Sequence, residues 1–228
     1  MKFKVKLITV ILVLAFITTL TAVGCATKVR VVELENKGTA LGVSTPDWIK
    51  IYTANGISRV QAQSEFRDKY CVIGEESGVN RQFVVAWADH FSAQQRIGAM
   101  LRTTIASEYQ ARVQGTAQSV GGSGSAATAG SYQQQIDSVI NAIVNVSYSG
   151  AQRESDWWSL RRRYDPDQKD VYTDEYTAYV LYTIPKALLN EQVARALETS
   201  VSRDSALYDI TIEMARQILQ NGLANWGE

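Results

Sequence analysis

Residues Tyr176–Ile184, YTAYVLYTI, restrict the possible folds more than any other stretch of the chain. Tyrosine, valine, isoleucine and threonine favour extended backbone. Alternation then puts Tyr176, Ala178, Val180, Tyr182 and Ile184 on one side, and Thr177, Tyr179, Leu181 and Thr183 on the other. Both sides are fairly apolar, which predicts a central strand covered on one side by helices. Pro185 ends that strand and can open a helix, where its missing N–H costs little. Leu188, Leu189, Val193, Ala196, Leu197 and Val201 supply the helix with an apolar face. A second strand is predicted at Tyr70–Gly74, YCVIG, with a turn at Glu75–Gly78 after it.

From about Asn80 to Arg112 there is no proline, and Gly98 is the one glycine. Phe83, Ala86, Trp87, Ala93, Ile97, Met100, Leu101 and Ile105 recur at three-and-four spacing, predicting a long amphipathic helix capped by Asn80 that turns this face to the sheet. Ile136, Val139, Ile140, Ile143 and Val144 repeat the spacing. Ser205–Asn221 does so again through Leu207, Ile210, Met214 and Ile218, with Gly222 as a C-terminal cap. Strand, long helix, strand and further helices predict an α+β fold, a small antiparallel or mixed sheet packed on one side by long helices. Between Val113 and Ile136 no residue is charged, and Gly121–Ala127 reads GGSGSAA. Too few bulky apolar side chains are present to offset the entropy of ordering, so a flexible loop is predicted at about 114–134. A phosphate-binding loop would need the lysine and the serine or threonine that follow such a glycine run, and these are missing.

The N-terminus carries an address. Lys2, Lys4 and Lys6 precede about fourteen mostly apolar residues, Leu7–Leu20, and Ala22-Val23-Gly24 lead to Cys25. The apolar run is shorter than the roughly 20 residues of a membrane-spanning helix. Residues 1–24 are therefore expected to be a signal peptide. Small residues directly before a cysteine resemble the lipobox of bacterial lipoproteins, which implies that Cys25 becomes the acylated first residue of the mature chain. Two or three acyl chains hold a protein to a bilayer far better than one. Ala26 is compatible with sorting to the outer membrane, facing the periplasm. Residues 25–45 then read as a lipidated tether and 46–228 as a single domain, beginning where Pro46, Trp48, Ile49, Ile51 and Tyr52 bring in bulky side chains.

Composition narrows the chemistry. Removal of the leader takes three lysines and no acid from a chain with 23 bases and 23 acids, which leaves a net charge of about minus three. No basic field remains for nucleic acid. With Cys25 acylated, Cys71 has no partner for an intramolecular disulfide and reads as a small core residue. His90 is the single histidine, so most zinc sites and histidine-dependent triads are removed. Asp89 and His90 with Glu75 or Glu76 are the one conceivable acid–base group. However, neighbours on a helix point about 100° apart, and no catalytic residue, metal or cofactor is expected. Trp157 and Trp158 followed by Arg161, Arg162 and Arg163 form a candidate surface for glycan or anionic lipid. The five bases and five acids of residues 153–170 favour a balanced strand end instead.

Several of these features occur together: the lipobox, Pro46 and Trp48 opening the domain, Ile73-Gly74 leading into a helix punctuated by Ala86, Ala88 and Ala93, and YVLYTIP at 179–185. In combination they resemble small bacterial envelope lipoproteins, a group that includes the flagellar basal-disc lipoprotein and a related surface-antigen lipoprotein. The resemblance covers roughly residues 46–112 and 170–200. It implies a compact α/β fold, no catalytic residues, and a structural, scaffolding or assembly role with other envelope proteins or with further copies of itself. The glycine-rich stretch, the Trp-Trp-Arg-Arg-Arg segment and the last helix depart from the pattern. The second functional reading is a peptidoglycan- or ligand-binding envelope lipoprotein.

Overall fold

The computed structural model describes residues 29–120, 134, 137–138, 141–142, 150–168, 170–205, 207–223 and 226. The predicted leader and Cys25 lie outside them, as do most of the expected glycine-rich loop and most of the helical pattern at 136–144. In chain order the elements are β1 (Val31–Asn36), α1 (Lys37–Leu41), α2 (Asp47–Asn55), α3 (Ile57–Gln61), a 3₁₀ turn (Ser64–Phe66) and β2 (Lys69–Gly78). Then follow α4 (Arg81–Trp87), a π-helical turn (Ala88–Ser92), α5 (Ala93–Val120), β3 (Gln152–Tyr164), β4 (Tyr172–Pro185), α6 (Lys186–Ser200) and α7 (Tyr208–Asn221).

The four strands make one antiparallel sheet in the order β1-β3-β4-β2, an α+β fold with β4 internal. β2 pairs with β4 from Lys69↔Pro185 to Gly78↔Tyr176. This register sends Tyr70, Val72 and Ile184 to one side, where Ile97, Leu101, Ile105 and Tyr109 of α5 and the apolar faces of α6 and α7 cover them. Val180 and Ala178 continue that side onto Val84 and Ala88. Cys71, Ile73, Tyr179 and Leu181 face the other way, and Trp48, Ile49, Val60 and Phe66 of the short helical segments bury them. Long helices were expected on one side and are found there. Covering on both sides is what two apolar faces of a central strand require, and residues 47–66 supply the second layer.

Residues 25–45 were expected as a tether, but Val31–Leu41 are ordered as an edge strand and a short helix. Asn36 explains the helix start: its side chain accepts a hydrogen bond from the Thr39 N–H at 2.9 Å, and the Thr39 hydroxyl accepts one from the Asn36 N–H at 3.0 Å. The predicted loop also begins later than expected, because the backbone of α5 continues to Val120. Asn80 caps α4 as predicted, accepting from Phe83 N–H at 3.1 Å.

Side chains close part of the β2 edge. The Gln61 amide donates to the Lys69 carbonyl at 2.7 Å and accepts from the Cys71 N–H at 2.7 Å, as a neighbouring strand would. The Trp226 indole donates to the Cys71 carbonyl at 3.1 Å and packs on Tyr70. Backbone groups that would otherwise template strand addition are thereby satisfied at this end.

The chain divides into two compact units. Glu33–Arg161 with Asp174–Glu228 contain the buried clusters described above; of the described residues, Val29–Val32 with Arg162–Thr173 form the other unit. In the smaller unit the Tyr164 N–H donates to the Arg30 carbonyl at 3.0 Å, and the Asp165 N–H donates to the Val171 carbonyl at 2.9 Å. Asp165 shapes the turn by accepting from the N–H groups of Asp167 and Gln168.

Candidate interaction surface

Both tryptophans proposed as a binding surface are core residues. Trp157 is 4 % exposed and packs among Trp48, Tyr179 and Leu181, while Trp158 is 6 % exposed and packs against Val84, Ala178 and Val180. Successive strand residues point to opposite faces, so the two rings enter different layers and share no platform. Arg161 lies beside Glu33, Arg162 stacks over the Tyr172 ring with its guanidinium carbon 3.7 Å from the centroid, and Arg163 is exposed. A stacking site for glycan built on these two tryptophans is thereby removed.

The residues weighed as an acid–base group are spread over separate contacts. Asp89 accepts from the Arg153 guanidinium at 3.1 Å and from the Tyr182 hydroxyl, while its neighbour His90 is exposed. Glu75 accepts from Tyr52 at 2.8 Å and lies 3.4 Å from Arg96; Glu76 accepts from Ser92 at 3.2 Å. Arg153 also reaches Asp156, which pairs with Lys37 at 2.7 Å. Partial burial pushes the Asp156 carboxyl up, but Lys37 and Arg153 outweigh it and hold the group below the usual carboxylate range. Burial, helped by the adjacent Asp89 carboxylate, pushes the Tyr182 hydroxyl up to about 12. Asp89 and Asp156 serve as acceptors in a chain of ion pairs through Arg153 and Lys37 that ties α1, β3 and the π turn together.

Cys71 is fully buried, and burial pushes its thiol up to about 12, so it carries almost no thiolate near neutral pH. Among the described residues no group of three or more histidine, cysteine, aspartate or glutamate side chains is placed to hold a metal ion. A groove of about 190 Å³ beside α5 and α7, lined by Thr104, Ile105, Glu108, Met214, Ile218 and Leu223 among others, is smaller than sites for drug-sized ligands.

The feature that stands out was assigned to the core by helical spacing. Phe83, Trp87 and Phe91 remain 59, 38 and 50 % exposed and stack on one another along α4 and the π turn. Their ring centroids are 5.2 Å apart from Phe83 to Trp87 and 4.4 Å apart from Trp87 to Phe91, with interplanar angles of 25° and 8°. Val79, 80 % exposed, precedes them in the chain.

The buried face of this stretch runs along other positions. The buried apolar positions on this stretch are Val84, Ala88, Ala93, Ile97, Leu101, Ile105 and Tyr109: steps of four, except for the step of five across the turn. A single extra residue in the turn rotates the helix before it relative to the helix after it. Continued back from Ile97 and Ala93 in steps of four, the ridge would pass through Asp89 and Val85; the extra residue shifts it to Ala88 and Val84, and Phe83 and Trp87, each one residue earlier, lie about 100° off it.

Near-parallel stacking occupies the inner ring faces and leaves ring edges outward, a geometry suited to an apolar protein contact. At roughly 200 Å² per aromatic side chain, the exposed fractions leave about 300 Å² open. That equals the largest apolar patch of a typical monomer, roughly 300–600 Å², and falls short of the ~800 Å² per partner of a standard stable interface. Comparisons with protein-family models, with curated proteins and with solved structures found no match to this chain.

Proposed function

We propose that this chain is a non-catalytic, lipid-anchored protein of the bacterial cell envelope, held at Cys25 in the outer membrane and facing the periplasm. Its role is scaffolding: copies on one membrane associate through Phe83, Trp87 and Phe91. The observation that carries this reading is the exposed three-ring stack along α4 and the π turn. Its area explains why the contact suits tethered copies. About 300 Å² of apolar surface is too little for a stable dimer in dilute solution, but confinement to a membrane raises the effective concentration of partners and populates a weak contact. The resemblance to small envelope lipoproteins points to the same class of role. The peptidoglycan-binding alternative loses its stacking platform with the burial of Trp157 and Trp158.

A photocrosslinking residue at the exposed position 86, beside Trp87, tests the proposal in intact cells. The anchored chain should yield an adduct with a second copy, and Trp87→Ala with Phe91→Ala should reduce it several-fold without changing expression. If position 86 gives no self-adduct above that from the exposed Glu198 position on α6, the scaffolding role through this stack is wrong.

A further inference from the structure

The smaller unit begins at the anchor. Only residues 26–28 separate Cys25 from Val29, and four steps of roughly 3.6 Å hold Val29 within about 14 Å of the acylated residue. The headgroup layer of a bilayer is itself several ångströms thick. The leash is therefore too short for Val29 to leave the neighbourhood of the lipid surface.

What this unit exposes suits that position. Arg30 places its guanidinium over the Tyr164 ring, 4.8 Å from the centroid. Strand alternation then turns Val29 and Val31 to the opposite face, where they are 43 and 48 % exposed. Val171 and Tyr172, at the end of the turn, are 47 and 49 % exposed. The Tyr164 and Tyr172 rings lie 6.0 Å apart and carry Arg30 and Arg162 over them. One face thus offers valines, and the other offers tyrosines with guanidinium groups, the side chains that favour the boundary between acyl chains and headgroups. Arg30, Arg162, Arg163 and Lys169 exceed Asp165, Asp167 and Asp170 by one charge, so attraction to anionic lipid is weak and apolar contact dominates.

We propose that the unit made of Val29–Val32 and Arg162–Thr173 is a membrane-docking element, with Val29, Val31 and Val171 seated at the headgroup–acyl boundary of the bilayer that holds Cys25. The inference rests on the lipid-anchored reading above. It adds that the protein contacts lipid through its fold as well as through its acyl chains. Because the anchor already holds the unit at the surface, a contact of a few side chains suffices to keep it docked.

The test uses the full lipidated chain in vesicles of phosphatidylethanolamine with phosphatidylglycerol. An environment-sensitive fluorophore is attached at Val171→Cys or, as a reference, at Glu198→Cys; buried Cys71 and acylated Cys25 do not compete for the label. Doxyl-labelled lipids should quench the probe at 171 several-fold more than the probe at 198. Adding Val29→Asp and Val31→Asp should abolish the difference while the protein still floats with the vesicles. Equal, water-like emission at both positions in floating protein would overturn the docking element and leave the anchor intact. Protein that carries no acyl chain and does not float would overturn the anchor, and the docking element with it.

Discussion

At the residue scale, Cys71 shows how one side chain couples burial to pH. The unfolded thiol loses its proton near pH 9, whereas the folded one, with no water to stabilise the thiolate, holds it to about 12. Between these values the native state binds more protons than the unfolded state, so stability is full below pH 9 and falls as pH rises toward 12. By pH 11 the loss from this residue is about 2–3 kcal/mol, at 1.36 kcal/mol per pH unit. Urea titrations of the wild type and Cys71→Ala at pH 8 and pH 11 measure it. The wild type should lose that much more stability than the variant over the interval, and identical losses would refute the assignment. That Cys71 belonged to the core was legible in YCVIG, where it sits inside an apolar run. The fate of Trp157 and Trp158 was not. Two adjacent aromatic residues with arginines nearby read equally well as a surface or as two strand residues bound for separate layers, and only a second helical layer over β3 and β4 separates the two.

At the element scale, the π turn decides what the longest helical stretch presents to solvent. Its position is explained by β2: a Cβ at Gly74 would lie 2.2 Å from the Ala88 carbonyl oxygen and 3.2 Å from the Ala93 nitrogen. The strand backbone runs against the turn, and any side chain at position 74 would push it away. Gly74→Ala is expected to cost about 2–3 kcal/mol, the upper range for overpacking a filled site, read as a lowered urea midpoint. An unchanged midpoint would show that the turn yields freely and is not held by this contact. The sequence reading recovered the helix, its Asn80 cap and its buried ridge from Ala93 to Ile105, because periodicity reports these directly. It misassigned Phe83 and Trp87 because three-and-four spacing admits more than one apolar ridge through this stretch, and only packing against the sheet selects Val84 and Ala88.

At the scale of the whole molecule, the proposed location rests on the N-terminal segment. No helix among the described residues is long and apolar enough to cross a membrane, so membrane association in this account depends on acylation at Cys25. Cys25→Ser is expected to abolish incorporation of radioactive palmitate and to shift the protein out of the membrane fraction on cell fractionation. Persistence of the variant in membranes without label would mean that the leader itself is the anchor.

The α+β class, the internal strand Tyr176–Ile184 and the helices after Pro185 and after Ser205 were all determined by the sequence alone, and the proposal of an anchor at Cys25 rests on the sequence alone. Alternation, helical spacing and the arrangement of basic, apolar and small residues are local properties that the chain displays before it folds. Tertiary structure alone decided which rings are covered. It sent Trp157 and Trp158 into opposite layers, ordered Val31–Leu41, and left Phe83, Trp87 and Phe91 outside. Burial depends on which distant segment arrives to pack against a face, and on a phase shift set by the close approach of Gly74 to the π turn. Neither is encoded in the residues that it exposes or hides.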